Sequence, residues 1–149
     1  MTGDGGVDFK CRAISEGVGT GEAVLSKDAL CMALVDAETG IVREKGHDLD
    51  GRSIAHKVLI MPTGKGSSVV QADGLYRLIT HGTAPSAVII EEPEPVLVST
   101  MIAMEVPLVD SVDRKFYETV RDGDLVTVDA SGGTILVLRR PTGSGEAAP

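Results

Sequence analysis

The sequence predicts a single α/β domain with a mixed β-sheet, and three observations lead to that prediction. The length of 149 residues suits one domain. Strand-like and helix-like apolar patterns alternate along the middle of the chain, which is typical of packed α/β layers. Both ends carry strand patterns instead, so that β-rich segments flank a β-α-β-α centre. Hydrophobic residues make up 42% and charged residues 24% of the chain, a balance that indicates a folded globular protein.

The N-terminal part of the chain is predicted to be mainly β-structure. Residues 7–14 alternate in polarity with a period of two, which indicates a half-buried strand. A second strand is predicted over 21–26. Residues 36–40 form a predicted turn, with Gly40 in a left-handed conformation, and a short strand over 41–43 follows.

The centre of the chain predicts a strand, a loop and a helix in succession. Lys57–Met61 is apolar throughout its last four residues, as in a fully buried strand. Pro62–Gly66 ends that strand, and a helix follows in which Ser68 and Gln71 form a predicted capping box. Gly82 is the predicted stop of the helix. Its apolar face is predicted at three-to-four spacing, from Val69, Ala72, Leu75, Leu78 and Ile79.

The remainder of the chain predicts six further elements. These are a buried strand over 87–90, an apolar helix over 96–104, a short strand over 106–109, a short helix over 114–120, and a hairpin of strands 125–129 and 134–138. The helix over 96–104 is apolar on more faces than a small domain can bury, which predicts a surface for a partner.

The termini and the cysteines give expectations about boundaries and location. Residues 1–6 and 141–149 have linker composition, so flexible tails are expected around a domain at 7–140. The chain starts without the basic and apolar regions of a signal peptide. Its apolar runs are far shorter than the ~20 residues that span a bilayer. Two cysteines without CxxC spacing indicate no disulfide framework, and a cytoplasmic protein is expected.

Charge and composition exclude other classes of partner. A net charge of −8 and an aromatic content of 3% argue against a nucleic-acid-binding protein, which needs basic patches and stacking surfaces. The three histidines are scattered, and no cluster of Cys, His and carboxylates has the spacing of metal ligands. The sequence therefore predicts no metal site in this chain.

The best candidate for chemistry is the loop Gly64-Lys65-Gly66-Ser67-Ser68 between the buried strand and the helix. Its glycines allow close approach of a ligand, the helix start offers unpaired amides, and Lys65 adds a positive charge. It is not a P-loop, because Gly66 follows the lysine. The alternative is that the serines only cap the helix. A lone hydroxyl is a weak base, so that chemistry at Ser67 would need a partner subunit.

Several segments of the chain resemble, in the same order, the small subunit of aconitase X. They are Cys11–Ile14, Gly21–Ser26, Asp36–Val42, Gly51–Ala55, Met61–Ser68, Gly82–Ala87 and Val106–Val109. The resemblance extends from Phe9 to Leu138. It implies a swivelling β/β/α domain of the aconitase superfamily that docks on an aconitase X large subunit. It also implies an iron–sulfur cluster, held by the cysteines of that partner and not by this chain.

The resemblance further implies a hydro-lyase that dehydrates a small hydroxy acid. It makes Ser67 the proton-abstracting base, and it places Gly64, Lys65, Gly66 and Ser68 around the substrate. The first expectation for the substrate is cis-3-hydroxy-L-proline, which would give 1-pyrroline-2-carboxylate. Relatives that act on mevalonate 5-phosphate carry a glycine pair where this chain has Ala33-Leu34-Val35, so that substrate is the alternative. A non-catalytic phosphate- or small-molecule-binding module and a structural adaptor are the remaining alternatives.

Overall fold

A computed structural model describes residues 6–65 and 68–138, and of Ser68 it describes the backbone alone. The tails expected at 1–6 and 141–149 therefore fall almost entirely outside the described residues. None of the helices in the described ranges is both long and apolar enough to span a bilayer.

Eight strands in this part of the chain form one mixed sheet. They are β1 (Val7–Lys10), β2 (Arg12–Ser15), β3 (Val18–Leu25), β4 (Val58–Met61), β5 (Ala87–Ile90), β6 (Leu108–Asp110), β7 (Leu125–Asp129) and β8 (Thr134–Leu138). The helices are α1 (Ser68–Thr80), α2 (Pro95–Met104) and α3 (Arg114–Thr119), and a 3₁₀ turn lies at Met32–Leu34.

The two end strands of the sheet are consecutive along the chain. The strand order is β1-β8-β7-β3-β4-β5-β6-β2, so β1 and β2 stand at opposite ends. Only Cys11 separates them along the chain, and such a link spans at most about 7 Å. The end of β1 and the start of β2 therefore lie close together at Cys11. The single strand predicted over 7–14 is wrong in this respect, because its halves pair with different strands, β8 and β6.

Strands β3 to β6 run parallel and form the centre of the sheet. Strands β4 and β5 are buried along their whole length, as expected for parallel strands that are covered on both faces. One face packs on α1 and α2, and the other encloses a second core with β7, β8 and Phe116 of α3. The layers are thus β/β/α, and the predicted α/β class with a mixed sheet is confirmed.

The buried face of α1 differs from the one predicted. Gln71, Leu75 and Leu78 are buried, whereas Val69 and Ile79 are exposed. The reason is that the helix packs on the 3₁₀ turn through Gly74, where a Cβ atom would lie 2.5 Å from the Ala33 nitrogen. This close approach sets the rotation of the helix and turns the two apolar side chains outward. The helix ends as predicted before Gly82, which has a φ of +72°.

The long connection from β3 to β4 contains little regular structure. The strand predicted over 41–43 is limited to two isolated bridges, Val42 with Val35 and Ile41 with Ser53. The predicted turn is confirmed, since the Asp36 carboxylate accepts from the Glu38 N–H at 2.8 Å. This connection covers the sheet beside α1 and brings charged residues toward the end of β4.

The second helix, α2, begins with a side-chain cap. The Glu94 carboxylate accepts from the N–H groups of Val96 and Leu97, each at 2.9 Å, and proline stands at the first helical position, where no N–H is needed. Leu97 is buried, and Ile102 is the large apolar side chain of this helix that stays half exposed. The exposed apolar surface that this helix was expected to offer a partner is therefore small.

Candidate functional site

The candidate loop leaves the carboxyl end of β4 and enters α1. At this edge the parallel strands β3 and β5 also end, and α/β folds bind ligands at such an edge. The Pro62 carbonyl accepts from the N–H groups of Glu91 and Glu92 at 3.0 and 2.9 Å. The Thr63 hydroxyl donates to the Glu92 carbonyl at 2.8 Å. The first half of the loop is therefore fastened to the connection that follows β5.

The second half of the loop falls on residues that the structure does not describe. Gly66 and Ser67 lie outside the described residues, as does the side chain of Ser68. The catalytic role of Ser67 and the substrate contacts of Gly66 and Ser68 stay predictions. Ser68 is the first residue of α1. The first-turn amides of a helix lack intrahelical acceptors and form its positive end.

Gly64 is needed for packing within the domain. A Cβ atom at this position would lie 2.6 Å from the Leu97 Cβ and 3.0 Å from the Glu94 Oε1. Both atoms belong to the start of α2. The close contact between the loop and α2 therefore accounts for a glycine here without a ligand, and the substrate contact expected of Gly64 stays a prediction.

Lys65 is paired with a buried carboxylate. Its ammonium group binds Glu44, whose side chain is 11% exposed, against 47% for the lysine. Burial opposes ionisation of Glu44, but hydrogen bonds from Lys65 and from the Cys31 N–H outweigh it and hold the pKa of Glu44 below its usual value. The same contact raises the pKa of Lys65. The pair is ionised at neutral pH, so the positive charge predicted for this loop is compensated by Glu44.

Gln71 holds the loop from the first turns of α1. Its amide group donates to the Lys65 carbonyl at 2.8 Å, and its oxygen accepts from the Met32 N–H at 3.0 Å. A longer contact of 3.5 Å reaches the Leu30 carbonyl. The amide of Gln71 thus binds long-range partners, and the capping box predicted for Ser68 and Gln71 stays a prediction.

The three histidines serve the backbone. The His47 Nδ1 accepts from the Leu49 N–H at 2.9 Å, so its Nε2 carries the proton and donates to the Ala29 carbonyl at 3.0 Å. His56 and His81 contact backbone carbonyls near the end of α1. These contacts give the histidines structural roles, those of His56 and His81 at the end of α1 that lies away from the loop.

The donor groups of this chain do not fit an iron–sulfur cluster. Such clusters are held mainly by several cysteine thiolates, and the chain has two cysteines. Burial, and then the carboxylates of Asp129 and Asp110, raise the pKa of Cys11 to about 11, so this thiol stays protonated at neutral pH. Within the described ranges, no three His, Cys, Asp or Glu side chains come together in a way that could hold a metal ion.

Comparison with known sequences decides the family. Residues 8–137 match the family described as the aconitase X swivel domain. The chain belongs to the aconitase X swivel-domain family. A phosphomevalonate dehydratase small subunit from Methanosarcina acetivorans is 42% identical over 139 residues, which cover 93% of this chain and 95% of the relative. A protein of the same name from Thermococcus kodakarensis is 38% identical over 131 residues, or 87% of this chain and 96% of the relative.

Solved structures agree with this assignment. The crystal structure of aconitase X from Thermococcus kodakaraensis in its holo form is similar with a TM-score of 0.79 and 36% identity, over 89% of this chain and 99% of that one. The solution structure of a UPF0107 protein is similar with a TM-score of 0.75 and 39% identity, over 87% and 97% of the two chains. The resemblance to aconitase X that the sequence motifs indicated is thus confirmed.

The sequence analysis did not predict that Glu44 contacts the candidate loop. It lies between Arg43 and Lys45 in a charged run, which usually indicates a solvated surface. The one local sign of its burial is its spacing of two from the buried Val42 in an extended segment. Its partner in the loop lies 21 residues further along the chain, a distance that no local pattern covers.

Proposed function

We propose that this chain is the small subunit of a phosphomevalonate dehydratase, a hydro-lyase that works with a large subunit. The observation that carries the proposal is that relatives 42% and 38% identical over nearly the whole chain both bear this name. A shared fold with aconitase X at 36% identity supports the proposal.

The names of the relatives favour phosphomevalonate over cis-3-hydroxy-L-proline, the substrate first expected. That expectation depended on the residue types at 33–35 and on the pattern of residues 67–73. In the structure Ala33 packs against α1 at Gly74, where an added Cβ would approach its nitrogen to 2.5 Å. Residue types in this segment are therefore constrained by packing, which makes them a weak guide to the substrate.

In the proposed reaction the substrate loses a proton from the carbon next to its carboxylate. The hydroxyl group on the adjacent carbon leaves as water, and a carbon–carbon double bond forms. We assign the removal of the proton to Ser67, which directly precedes α1 in the sequence. The positive end of a helix favours a developing negative charge on the serine oxygen. Lys65 contributes less to this stabilisation than its position suggests, because Glu44 compensates its charge.

A large subunit is part of the proposal, as the holder of the iron–sulfur cluster and as the cover of the loop. The exposed side of α1 supports such a cover. Val69 is 78% exposed and Tyr76 is 56% exposed on the helix that follows the loop. Grouped apolar side chains on a surface indicate an interaction site. A partner that closes over the loop would bury them and exclude water from the reacting groups.

The test is to copurify this chain with an aconitase X large subunit from the same organism and to assay both substrates. The complex is expected to dehydrate phosphomevalonate, and this chain alone is expected to be inactive. A complex that dehydrates cis-3-hydroxy-L-proline but not phosphomevalonate would contradict the proposed substrate. A complex inactive on both would contradict the dehydratase assignment, and activity of the isolated chain would contradict the need for a partner.

A further inference from the structure

Two buried polar side chains fasten Lys65 to the same short segment, residues 30–32. Gln71 donates to the Lys65 carbonyl at 2.8 Å and accepts from the Met32 N–H at 3.0 Å. Glu44 binds the Lys65 ammonium with one oxygen and accepts from the Cys31 N–H with the other, at 3.1 Å. Lys65 is therefore held at both its main chain and the tip of its side chain.

Stability alone gives little reason for this arrangement. A carboxylate as buried as that of Glu44 is tolerated only when it is paired and hydrogen-bonded. Its partner Lys65 is 47% exposed, and an ion pair with an exposed partner contributes little to stability. Buried polar contacts can instead select one conformation among several, because they are satisfied in that conformation only. The conformation selected here is that of Lys65, two residues before Ser67.

The other side of the loop is fixed as well. Pro62 and Thr63 are hydrogen-bonded to the connection after β5, and Gly64 packs on α2. The position of Lys65, the last described residue of the loop, thus depends on its own contacts with Gln71 and Glu44. Glu44 supplies the charged contact. It lies in the connection from β3 to β4, outside the loop and α1.

We propose that Glu44 is a positioning residue for the dehydration and that it acts through Lys65. It holds Lys65 in one position, and the proton transfer assigned to Ser67, two residues further along the chain, depends on that position. This inference rests on the proposed function. A misplacement of about 1 Å in a reacting group can lower a rate about 100-fold, so loss of Glu44 should act on the chemical step more than on substrate binding.

The experiment uses the complex with the large subunit and phosphomevalonate. Glu44→Ala is expected to lower kcat by about 100-fold with KM little changed. Glu44→Gln keeps an acceptor for the Cys31 N–H and loses the charge, so a smaller fall of about tenfold is expected. The double variant with Glu44→Gln and Lys65→Met should have a kcat no lower than that of the slower of the two single variants, Glu44→Gln and Lys65→Met. The reason is that both changes remove the same contact.

The matched control is Glu22→Gln. It removes a half-exposed ion pair of 3.0 Å with Lys57, at the opposite end of β4, and should leave kcat unchanged. The inference is overturned if Glu44→Ala keeps the wild-type kcat, if its loss lies in KM, or if the double variant multiplies the single effects.

A second readout separates failure of this inference from failure of the proposed function. If the wild-type complex does not dehydrate phosphomevalonate, the proposed function fails. Hydrogen exchange of the amides of residues 63–65 then tests Glu44 alone. Glu44→Ala should speed this exchange while Glu22→Gln does not, and equal exchange in the wild type and Glu44→Ala overturns the inference.

Discussion

Gly74, in the middle of α1, is a position where helix propensity and packing predict opposite effects of one substitution. On an exposed helix, Gly→Ala stabilises by about 1 kcal/mol. At Gly74 the added Cβ would lie 2.5 Å from the Ala33 nitrogen and 2.5 Å from the Met32 carbonyl carbon. Both are backbone atoms, so no side-chain rotation can relieve the overlap.

The size of the effect follows from the movement that is required. Ordinary contacts of a Cβ atom begin near 3.4 Å, so the 3₁₀ turn must shift by about 1 Å. Overpacking of this kind costs about 1–3 kcal/mol. The shift also strains the hydrogen bond from the Met32 N–H to Gln71, which is worth about 1 kcal/mol. After the gain in propensity, Gly74→Ala should destabilise the domain by about 1–3 kcal/mol.

Urea unfolding at neutral pH measures this free energy. Asp73→Ala is the matched control, because Asp73 is the exposed neighbour in the same helix and gains propensity without touching the 3₁₀ turn. It should stabilise by about 0.5 kcal/mol. If Gly74→Ala instead raises the free energy of unfolding by about 1 kcal/mol, the gain expected from helix propensity alone, the close packing of α1 on the turn is refuted.

Two further predictions concern titratable groups. The Tyr117 hydroxyl is buried without a hydrogen-bond partner in the described structure, and burial, followed by the charges of Glu91 and Asp110, raises its pKa. Tyr117→Phe should therefore leave the free energy of unfolding unchanged or raise it. A loss above about 2 kcal/mol in urea unfolding would contradict this, because it would mean that the hydroxyl has a partner. The pKa of Glu44 lies below its usual 4.5 in the folded state, so its stabilising contribution is complete above pH 4.5 and is lost as the pH falls through the folded value. Urea titrations between pH 7 and 3 should show the stability difference between wild type and Glu44→Gln shrinking at acid pH, and a constant difference would contradict the ionised pair.

Elements with strong local patterns were predictable from the sequence. Strand β5 (Ala87–Ile90) and the hairpin of β7 and β8 match their predicted bounds. A short apolar run predicts the first, and alternation around a glycine turn predicts the second. The break at Cys11 was not predictable, because the strands on its two sides pair with residues that lie 124–130 positions away in β8 and 93–98 positions away in β6.

The candidate site, too, was predictable where local patterns define it and not where distant contacts do. The loop was found because glycines, a lysine and serines stand between a buried strand and a helix. The helix face was misassigned because Gly74 and Gln71, which have no apolar side chain, set the contact with the 3₁₀ turn. Glu44 was missed because its burial depends on contacts with the distant Lys65 and Cys31.

The most direct test of the proposed function is the turnover of phosphomevalonate by the Ser67→Ala complex, compared with a Ser68→Ala complex. If Ser67 removes the proton, Ser67→Ala should show no dehydration while it still binds the large subunit, and its loss of stability should not exceed the ~1 kcal/mol of a helix cap. Ser68→Ala should keep most of its turnover. Near-normal turnover of Ser67→Ala would contradict the assignment of the catalytic base to this chain.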